Sequence, residues 1–371
     1  LKDDGSFAAG LFKNLDPLIK DGISRKVFPG AAVGVSVNCG SLKKSFSAAW
    51  GSSSLFPRQK PMRRETLFDL ASLTKPFATT LALLCLVQEK KIQLDEPLSS
   101  LLRLDVPPDK KNITLRHLLN HSSGLADHHP FYQQLIHVAE QERKNTLLNL
   151  ILADELSWPV GSKSLYSDLG FILLGMIVEL QSGLPLDIFV REKVMAPLGL
   201  ADRVVFNPRQ KDKKDFAATE NCLWRKKVLA GEVHDDNTWA VGGVSGQAGL
   251  FAAVDSVLLL SSFLLEVWQD QASHPHFANA LLKEFFKRQD MVRESTWALG
   301  FDTPSPTGSS AGSLISKDSV GHLGFTGTSF WIDPERQLVM VLLTNRVHPS
   351  RENNRIRQFR PLFHDRVINS V

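Results

Sequence analysis

Hydrophobic positions along the chain follow three different rhythms. Over residues 11–23 they recur at three- and four-residue intervals, which predicts an amphipathic helix. Residues 31–37 and 44–50 alternate apolar and polar around Asn38-Cys39-Gly40, which predicts a β-hairpin. Residues 74–88 are almost continuously apolar and predict a buried helix, with Pro76 tolerated in its first turn. Helical spacing returns at 115–120, 133–152, 170–181 and 186–194, with polar, Gly-rich connections between. Near the end, 322–325, 328–332 and 338–344 are short β-rich runs, the last two separated by the turn Asp333-Pro334-Glu335-Arg336. A final helix is predicted from Asn354 onward.

Strands at both ends with helices between them predict an α/β (α+β) fold. One antiparallel sheet is built from the two termini and flanked by helices, with a helical region inserted. The expected division is a sheet domain from 1–90 and 238–371 and a mostly helical region at 91–237, with a cleft between them. The 371 residues carry 43% hydrophobic and 22% charged side chains, enough for a large core and against disorder as the main state. No run approaches the roughly 18 consecutive apolar residues of a membrane span. The chain opens at Leu1 rather than Met, so the lack of a signal peptide says nothing about location. Three scattered cysteines, Cys39, Cys85 and Cys222, suit neither a disulfide framework nor a zinc site. The net charge of +4 is mild, and the basic runs at 209–214 and 351–360 are interrupted by acids and polar residues, which favours solvated surface over a nucleic-acid partner.

The chemistry-bearing signal is Phe68-Asp69-Leu70-Ala71-Ser72-Leu73-Thr74-Lys75, which runs straight into the apolar helix. A serine in a first helical turn meets partial positive charge that favours an alkoxide, and an amine at i+3 lies on the same face. To act as a base, Lys75 needs a depressed pKa. The spacing alone is weak: Ser41-Leu42-Lys43-Lys44 also fits, but at a hairpin, where residues three apart point to opposite faces. Tyr166-Ser167-Asp168 sits just before a predicted helix, where Asp168 is either a cap or a polar group aimed into a cleft. Gly321-His322-Leu323-Gly324-Phe325-Thr326-Gly327 is a Gly-bearing strand that a ligand can approach closely.

In this order the three elements resemble the serine β-lactamase and penicillin-binding protein superfamily, with its S-x-x-K, S-D-N and K-T-G motifs. The likeness is greatest to class C β-lactamase-like serine hydrolases of the peptidase S12 type. These include D-alanyl-D-alanine carboxypeptidases, D-aminopeptidases and family VIII-type esterases, whose second motif is Tyr-x-Asn. Segments 28–32, 113–125, 231–237, 242–251 and 339–349 also look like that family's scaffold. The resemblance implies a β-lactamase/transpeptidase-like fold and Ser72 as the acylated nucleophile. It gives Lys75 and Tyr166 shared acid–base work, and makes the N–H groups of Ser72 and Phe325 the oxyanion donors. No cofactor or metal is implied. Substrates would be small peptides, esters or β-lactams, with peptidoglycan as a possible macromolecular partner and the cell envelope or periplasm as the location.

Two departures from the family pattern bear on substrate. Asp168 replaces the usual Asn, so it either holds Lys75 protonated or is itself kept neutral. His322 stands where many members have Lys; an unperturbed imidazole is charged only below about pH 6.5, so carboxylate anchoring would be weak and pH-dependent. Two registers fit the third motif, His322-Leu323-Gly324 and Phe325-Thr326-Gly327; the first is preferred, with Gly324 and Phe325 at the substrate, because 325–327 must supply the turn before the next strand. The favoured reaction is hydrolysis of D-amino-acid peptides of the cell-wall type, with weak β-lactamase activity. A broad esterase and a catalytically silent peptidoglycan-binding scaffold are the alternatives. His117 and His121, four apart, lack the Glu of H-E-x-x-H and are expected to be structural. Glu232, His234, Asp235 and Asp236 are expected to form a hydrogen-bonded loop at the cleft rim. Residues 242–249 match no phosphate-binding loop, and Gln247 stands where relatives often carry His. Trp158, Trp224, Trp239 and Trp331 either line a substrate cleft or pack in the core, the second being the expectation for each, with Trp331 the one close to the third motif.

Overall fold

The computed structural model describes residues 4–39, 42–208 and 215–371. Gly40 and Ser41, and the basic run at 209–214, lie outside them. The first helix, α1 (Asp4–Ser24), leads into β1 (Gly30–Cys39), β2 (Leu42–Ser54) and the short β3 (Lys60–Pro61). The sheet is completed by β4 (Val320–Leu323), β5 (Ser329–Asp333) and β6 (Leu338–Thr344). The six strands lie in the order β3-β2-β1-β6-β5-β4, all antiparallel. At the centre, β1 pairs with β6 from Ala31 opposite Thr344 to Val37 opposite Leu338.

Alternation along the strands assigns each face a partner. Ala31, Val33 and Val35 on β1, Trp331 on β5 and Leu338, Met340 and Leu342 on β6 point to one face. There they meet Leu11, Leu15 and Ile19 of α1 and Phe359, Phe363 and Val367 of the C-terminal helix α5 (Ile356–Ile368). Both helices bury i, i+4 stripes, and each fully buried Leu, Ile or Phe contributes about 1.5–3 kcal/mol. The opposite face, with Ala32, Phe330, Ile332, Val339 and Val341, joins a larger core shared with the helices. Helix α4 (Val254–Trp268) lies on it, and a side chain at Gly34 would come within 3.2 Å of Val254, so the missing Cβ sets this close approach.

Two further helices carry the site: α2 (Leu81–Gln88), entered through a wide π-type turn at Lys75–Thr80, and α3 (Asp168–Ser182). Ala71–Gln88 has the length and mean hydropathy of a membrane-crossing segment, but 83% of it is buried inside the fold, as core. The helix predicted over 133–152 is broken into Tyr132–Leu135, a turn at Glu140–Glu142 and Arg143–Ala153. Residues 136 and 137 face solvent and Ala139 is extended, so no apolar stripe holds that stretch helical. Helices Val254–Trp268 and Asn279–Phe286 were not read from spacing.

Candidate active site

Ser72 is partly exposed at the mouth of the buried helix, in a tight turn spanning Ala71–Leu73. Ala71 adopts φ +48°, a left-handed conformation that costs a non-glycine residue of order 1 kcal/mol and persists only where neighbours enforce it. The enforcement is visible. The Ala71 N–H donates to Asp69 Oδ1 at 2.8 Å, and Thr74 Oγ1 donates to the Ala71 carbonyl at 2.7 Å. Asp69 is buried, and its other oxygen accepts the His234 N–H at 2.6 Å. Burial raises the Asp69 pKa, while the two backbone donors oppose that rise.

Lys75 is fully buried beneath Ser72. Its Nζ lies 3.2 Å from Ser72 Oγ, 2.6 Å from Asp168 Oδ1 and 3.2 Å from the Gln247 carbonyl, three acceptors for three N–H groups. Burial works against the ammonium, but the Asp168 carboxylate and then Tyr166 together outweigh it and hold the Lys75 pKa above its usual value. The depressed pKa expected of a basic Lys75 is therefore not found: of the two roles considered for Asp168, it holds the amine protonated. Burial alone would raise the Asp168 pKa, and Lys75, aided by His128, carries it far below the usual carboxylate range. His128 Nδ1 lies 3.7 Å from Asp168 Oδ2, and that contact raises the His128 pKa.

Asp168 is free for this because it is not the helix cap. Ser167 caps α3, accepting the Gly170 N–H at 3.2 Å, and Asp168 is the first helical residue. Tyr166, immediately before, has its ring centroid 4.8 Å from Lys75 Nζ, and its hydroxyl interacts with Lys75 and Ser72. Burial raises its pKa and the Lys75 charge only partly offsets that, so the phenol is neutral. Around it stand His121, Trp297 and His322, with ring centroids at 4.7, 5.5 and 5.9 Å.

His322 lies on β4 opposite Phe330, while 325–327 occupy the turn into β5. The imidazole is buried, and its Nδ1 donates to the Leu323 carbonyl at 2.8 Å, leaving Nε2 as an acceptor with no protein partner among the described residues. Burial, then the Lys75 charge, pushes its pKa down to about 3. This corrects the expectation of a histidine that becomes cationic below about pH 6.5: His322 is neutral throughout the physiological range.

The segments carrying the two expected oxyanion donors are bolted together. Thr326 Oγ1 donates to the Asp69 carbonyl at 2.8 Å and Thr328 Oγ1 to the Leu70 carbonyl at 3.0 Å. A Cβ at Gly324 would sit 2.7 Å from the Leu70 carbonyl and 1.9 Å from Thr328 Oγ1, so only glycine fits there. Neither the Ser72 nor the Phe325 N–H has a protein acceptor among the described residues. Both residues line a cleft of about 850 Å³, walled by Tyr166, Trp297, Leu323 and Asp302. Burial pushes the Asp302 carboxyl up to about 6.

The remaining sequence candidates separate clearly. His117 completes a capping box with Thr114, and His121 lies past the end of Leu115–Leu119 at φ +58°, so the two do not share a helix face. His121 instead accepts the Ser167 N–H on Nδ1 at 3.1 Å, and burial depresses its pKa. In the 232–236 loop, Asp235 caps a short helix through the Thr238 N–H and Asp236 pairs with Arg225 and Arg351. The Gln247 amide donates to Asp235 and Thr238. Trp158 is 40% exposed beneath Lys163, and Trp224 and Trp239 flank Arg225. Trp331 is buried on the sheet face away from the cleft. Sequence reasoning passed over Asp69 and Trp297. Asp69 left one signal, a lone carboxylate in an apolar run three residues before Ser72; Trp297 left none.

A family model described as Beta-lactamase matches residues 15–362. The chain belongs to this family, and its fold is that of the serine β-lactamases and penicillin-binding proteins. It is 33% identical over 378 residues to the N-acetylmuramyl-L-alanine amidase of Bacillus subtilis (strain 168), covering 93% of this chain and 83% of that protein. It is also 33% identical over 335 residues to an Escherichia coli (strain K12) protein provisionally named D-alanyl-D-alanine carboxypeptidase, covering 82% of this chain and 76% of the other. Among solved structures, the hydrolase EstCE1, which has promiscuous acyltransferase activity, superposes with a TM-score of 0.75 at 22% identity, covering 96% of this chain and 99% of that one. The family is one of serine hydrolases, and membership in it supports hydrolase activity.

Proposed function

We propose that Ser72 is the nucleophile of a hydrolase that cleaves amide or ester bonds through an acyl-enzyme. The carrying observation is a partly exposed serine whose hydroxyl lies 3.2 Å from a buried ammonium, beside a neutral phenol, on a cleft where the Ser72 and Phe325 N–H groups have no protein acceptor among the described residues. Charged Lys75 donates toward Ser72 Oγ and favours the developing alkoxide. As Oγ bonds to the substrate carbon, its proton passes to the Tyr166 oxygen while Tyr166 gives its own proton to the leaving nitrogen or oxygen. Tyr166 thus ends as it began, and no charge is created on a buried base. Water then repeats the exchange in reverse and releases the acid. The Ser72 and Phe325 N–H groups receive the oxyanion in both steps.

The proposed substrates are D-amino-acid peptides of the cell-wall type, which implies a cell-envelope location and peptidoglycan fragments as partners. The names of the amidase and carboxypeptidase relatives support that class. A second reading, a broad carboxylesterase, is favoured by the burial of His322, which keeps it neutral at the third-motif position and leaves any carboxylate anchoring to the arginines elsewhere on the cleft wall. The same observation argues for poor β-lactam turnover. Intact-protein mass spectrometry after exposure to a penicillin and to an activated ester tests the acyl-enzyme. D-alanine release from a stem peptide against turnover of a short p-nitrophenyl ester separates the two substrate classes. A chain that no acylating probe modifies at Ser72 would reduce the protein to a binding scaffold.

A further inference from the structure

The turn that carries Phe325 is gripped by two buried arginines, both on the wall of the same cleft. Arg360 on α5 is 6% exposed, and its Nη2 donates to the Gly324 and Thr328 carbonyls, both at 2.8 Å. Its Nε is buried without a hydrogen-bond partner among the described residues. No carboxylate forms an ion pair with it among the described residues; its charged neighbours are Arg346 and Arg357, cations themselves. A buried guanidinium with only carbonyl dipoles for company is costly to keep, and its position shows what the charge reaches.

A trans peptide is planar, with its C=O and N–H pointing in opposite directions. The Gly324 carbonyl and the Phe325 N–H belong to one such plane. Arg360 and Phe325 line the same cleft, and fixing the Gly324 carbonyl on Arg360 fixes the direction of the Phe325 N–H, which has no protein acceptor among the described residues. A cationic donor on the carbonyl also draws electron density from the amide and strengthens its N–H as a donor. Arg346 makes an instructive contrast. Its Nε donates at 2.8 Å to the Phe325 carbonyl, which belongs to the next peptide plane and carries the Thr326 N–H.

We propose that Arg360 is a positioning residue that orients and polarises the Gly324–Phe325 peptide, and thereby sets the strength of the Phe325 N–H toward the oxyanion. This rests on the acyl-enzyme reading above. It distinguishes a charged device acting on one peptide plane from a clamp that merely holds the turn.

The test compares Arg360→Gln, Arg360→Lys and Arg346→Gln with the unaltered protein, after thermal melts establish that each is folded. Two readouts are taken: the rate of Ser72 acylation by a p-nitrophenyl ester, and affinity for a trifluoromethyl ketone, whose serine adduct carries the oxyanion. Arg360→Gln keeps a hydrogen-bond donor and loses the charge. It is expected to lower both readouts by a common factor of about 10 to 100, with ground-state binding held within about twofold. Arg346→Gln should lose at least about fivefold less, since it acts on the wrong plane. Arg360→Lys, which keeps the cation, should retain activity within about threefold, and decides the matter if Arg360→Gln does not fold.

Equal losses at the two arginines, a loss confined to ground-state binding, or a folded Arg360→Lys as slow as a charge-free variant would each overturn the proposal. An unaltered protein that never acylates at Ser72 would instead defeat the underlying reading. An unaltered protein that acylates, with Arg360→Gln equally fast, defeats this inference alone.

Discussion

Replacing Asp168 by Asn removes the negative charge facing Lys75 at 2.6 Å while keeping the size of the side chain. At an effective dielectric of about 20, the attraction lost at that separation is about 6 kcal/mol. Part of it returns as relief from desolvating the carboxylate, and removing one partner of a buried pair costs about 3–5 kcal/mol in practice. Lys75, fully buried, has an escape: it sheds its proton. Doing so at pH 7, from an unfolded-state pKa of about 10.4, costs about 4.6 kcal/mol. The two routes agree, so Asp168→Asn should be about 3–5 kcal/mol less stable at pH 7.

The pH signature is sharper than the loss itself. In the unaltered protein the folded pKa of Asp168 is lowered and that of Lys75 is raised. The contribution from Asp168 is fully present above about pH 3.9 and is lost as pH falls through its folded pKa. That from Lys75 is fully present below about pH 10.4 and is lost as pH rises through its folded pKa. Between those limits the contribution of the pair is flat. In the variant, the folded amine binds no proton over a range where the unfolded amine does. Stability should then climb with pH, by about 1.4 kcal/mol per unit, until about pH 10. Urea midpoints at half-unit intervals from pH 6 to 10, with the unaltered protein as reference, read this directly. A variant whose stability tracks the reference at every pH would show that Lys75 is not held charged by Asp168.

Ser72→Ala should abolish covalent labelling by every acylating probe yet change stability by no more than about 1 kcal/mol, since the hydroxyl is partly exposed; mass spectrometry and a melt check both halves. Asp69→Ala removes the acceptor for the Ala71 and His234 N–H groups and should cost about 2–5 kcal/mol in urea, with slower Ser72 acylation as the turn relaxes. His322 should show no titration between pH 5 and 8 in carbon-13 spectra of labelled histidine; a midpoint near 6.5 would refute its assignment as a neutral acceptor. Buried His121, His322 and His364 all have lowered folded pKa values, so they take up protons only on unfolding. These three groups should contribute a loss of stability below about pH 6.5 of up to about 4 kcal/mol per unit, to which His117, His274 and His348, also lowered, add; a pH-jump fluorescence assay would detect the acid denaturation.

The elements that local pattern specifies were legible: the hairpin around residue 39 alternates, while the helix after Ser72 and the last strand are almost continuously apolar because they are buried all round. The Gln133–Leu152 stretch misled because its spacing continues through 136–139, whose side chains find no core to enter. Asp168 reads locally as a cap. Only long-range folding, which brings Lys75 within reach and lets Ser167 take the cap, gives it another role. The same holds for Arg360, whose partners lie 36 and 32 residues away, and for Trp297, which reaches Tyr166 across 131 positions. Chemistry made by contact between distant segments leaves no period to read.

Because β1 pairs with β6, the middle of the sheet closes only after a stretch of some three hundred residues has been synthesised. A ribosome-bound intermediate ending before β4 already contains the serine, the amine and the phenol, yet has no Phe325 amide to stabilise a tetrahedral adduct. On the proposed mechanism, competence for acylation would be acquired late in assembly and not accumulated as the polypeptide grows. The cost is a long interval in which the early hairpin waits with one edge uncovered.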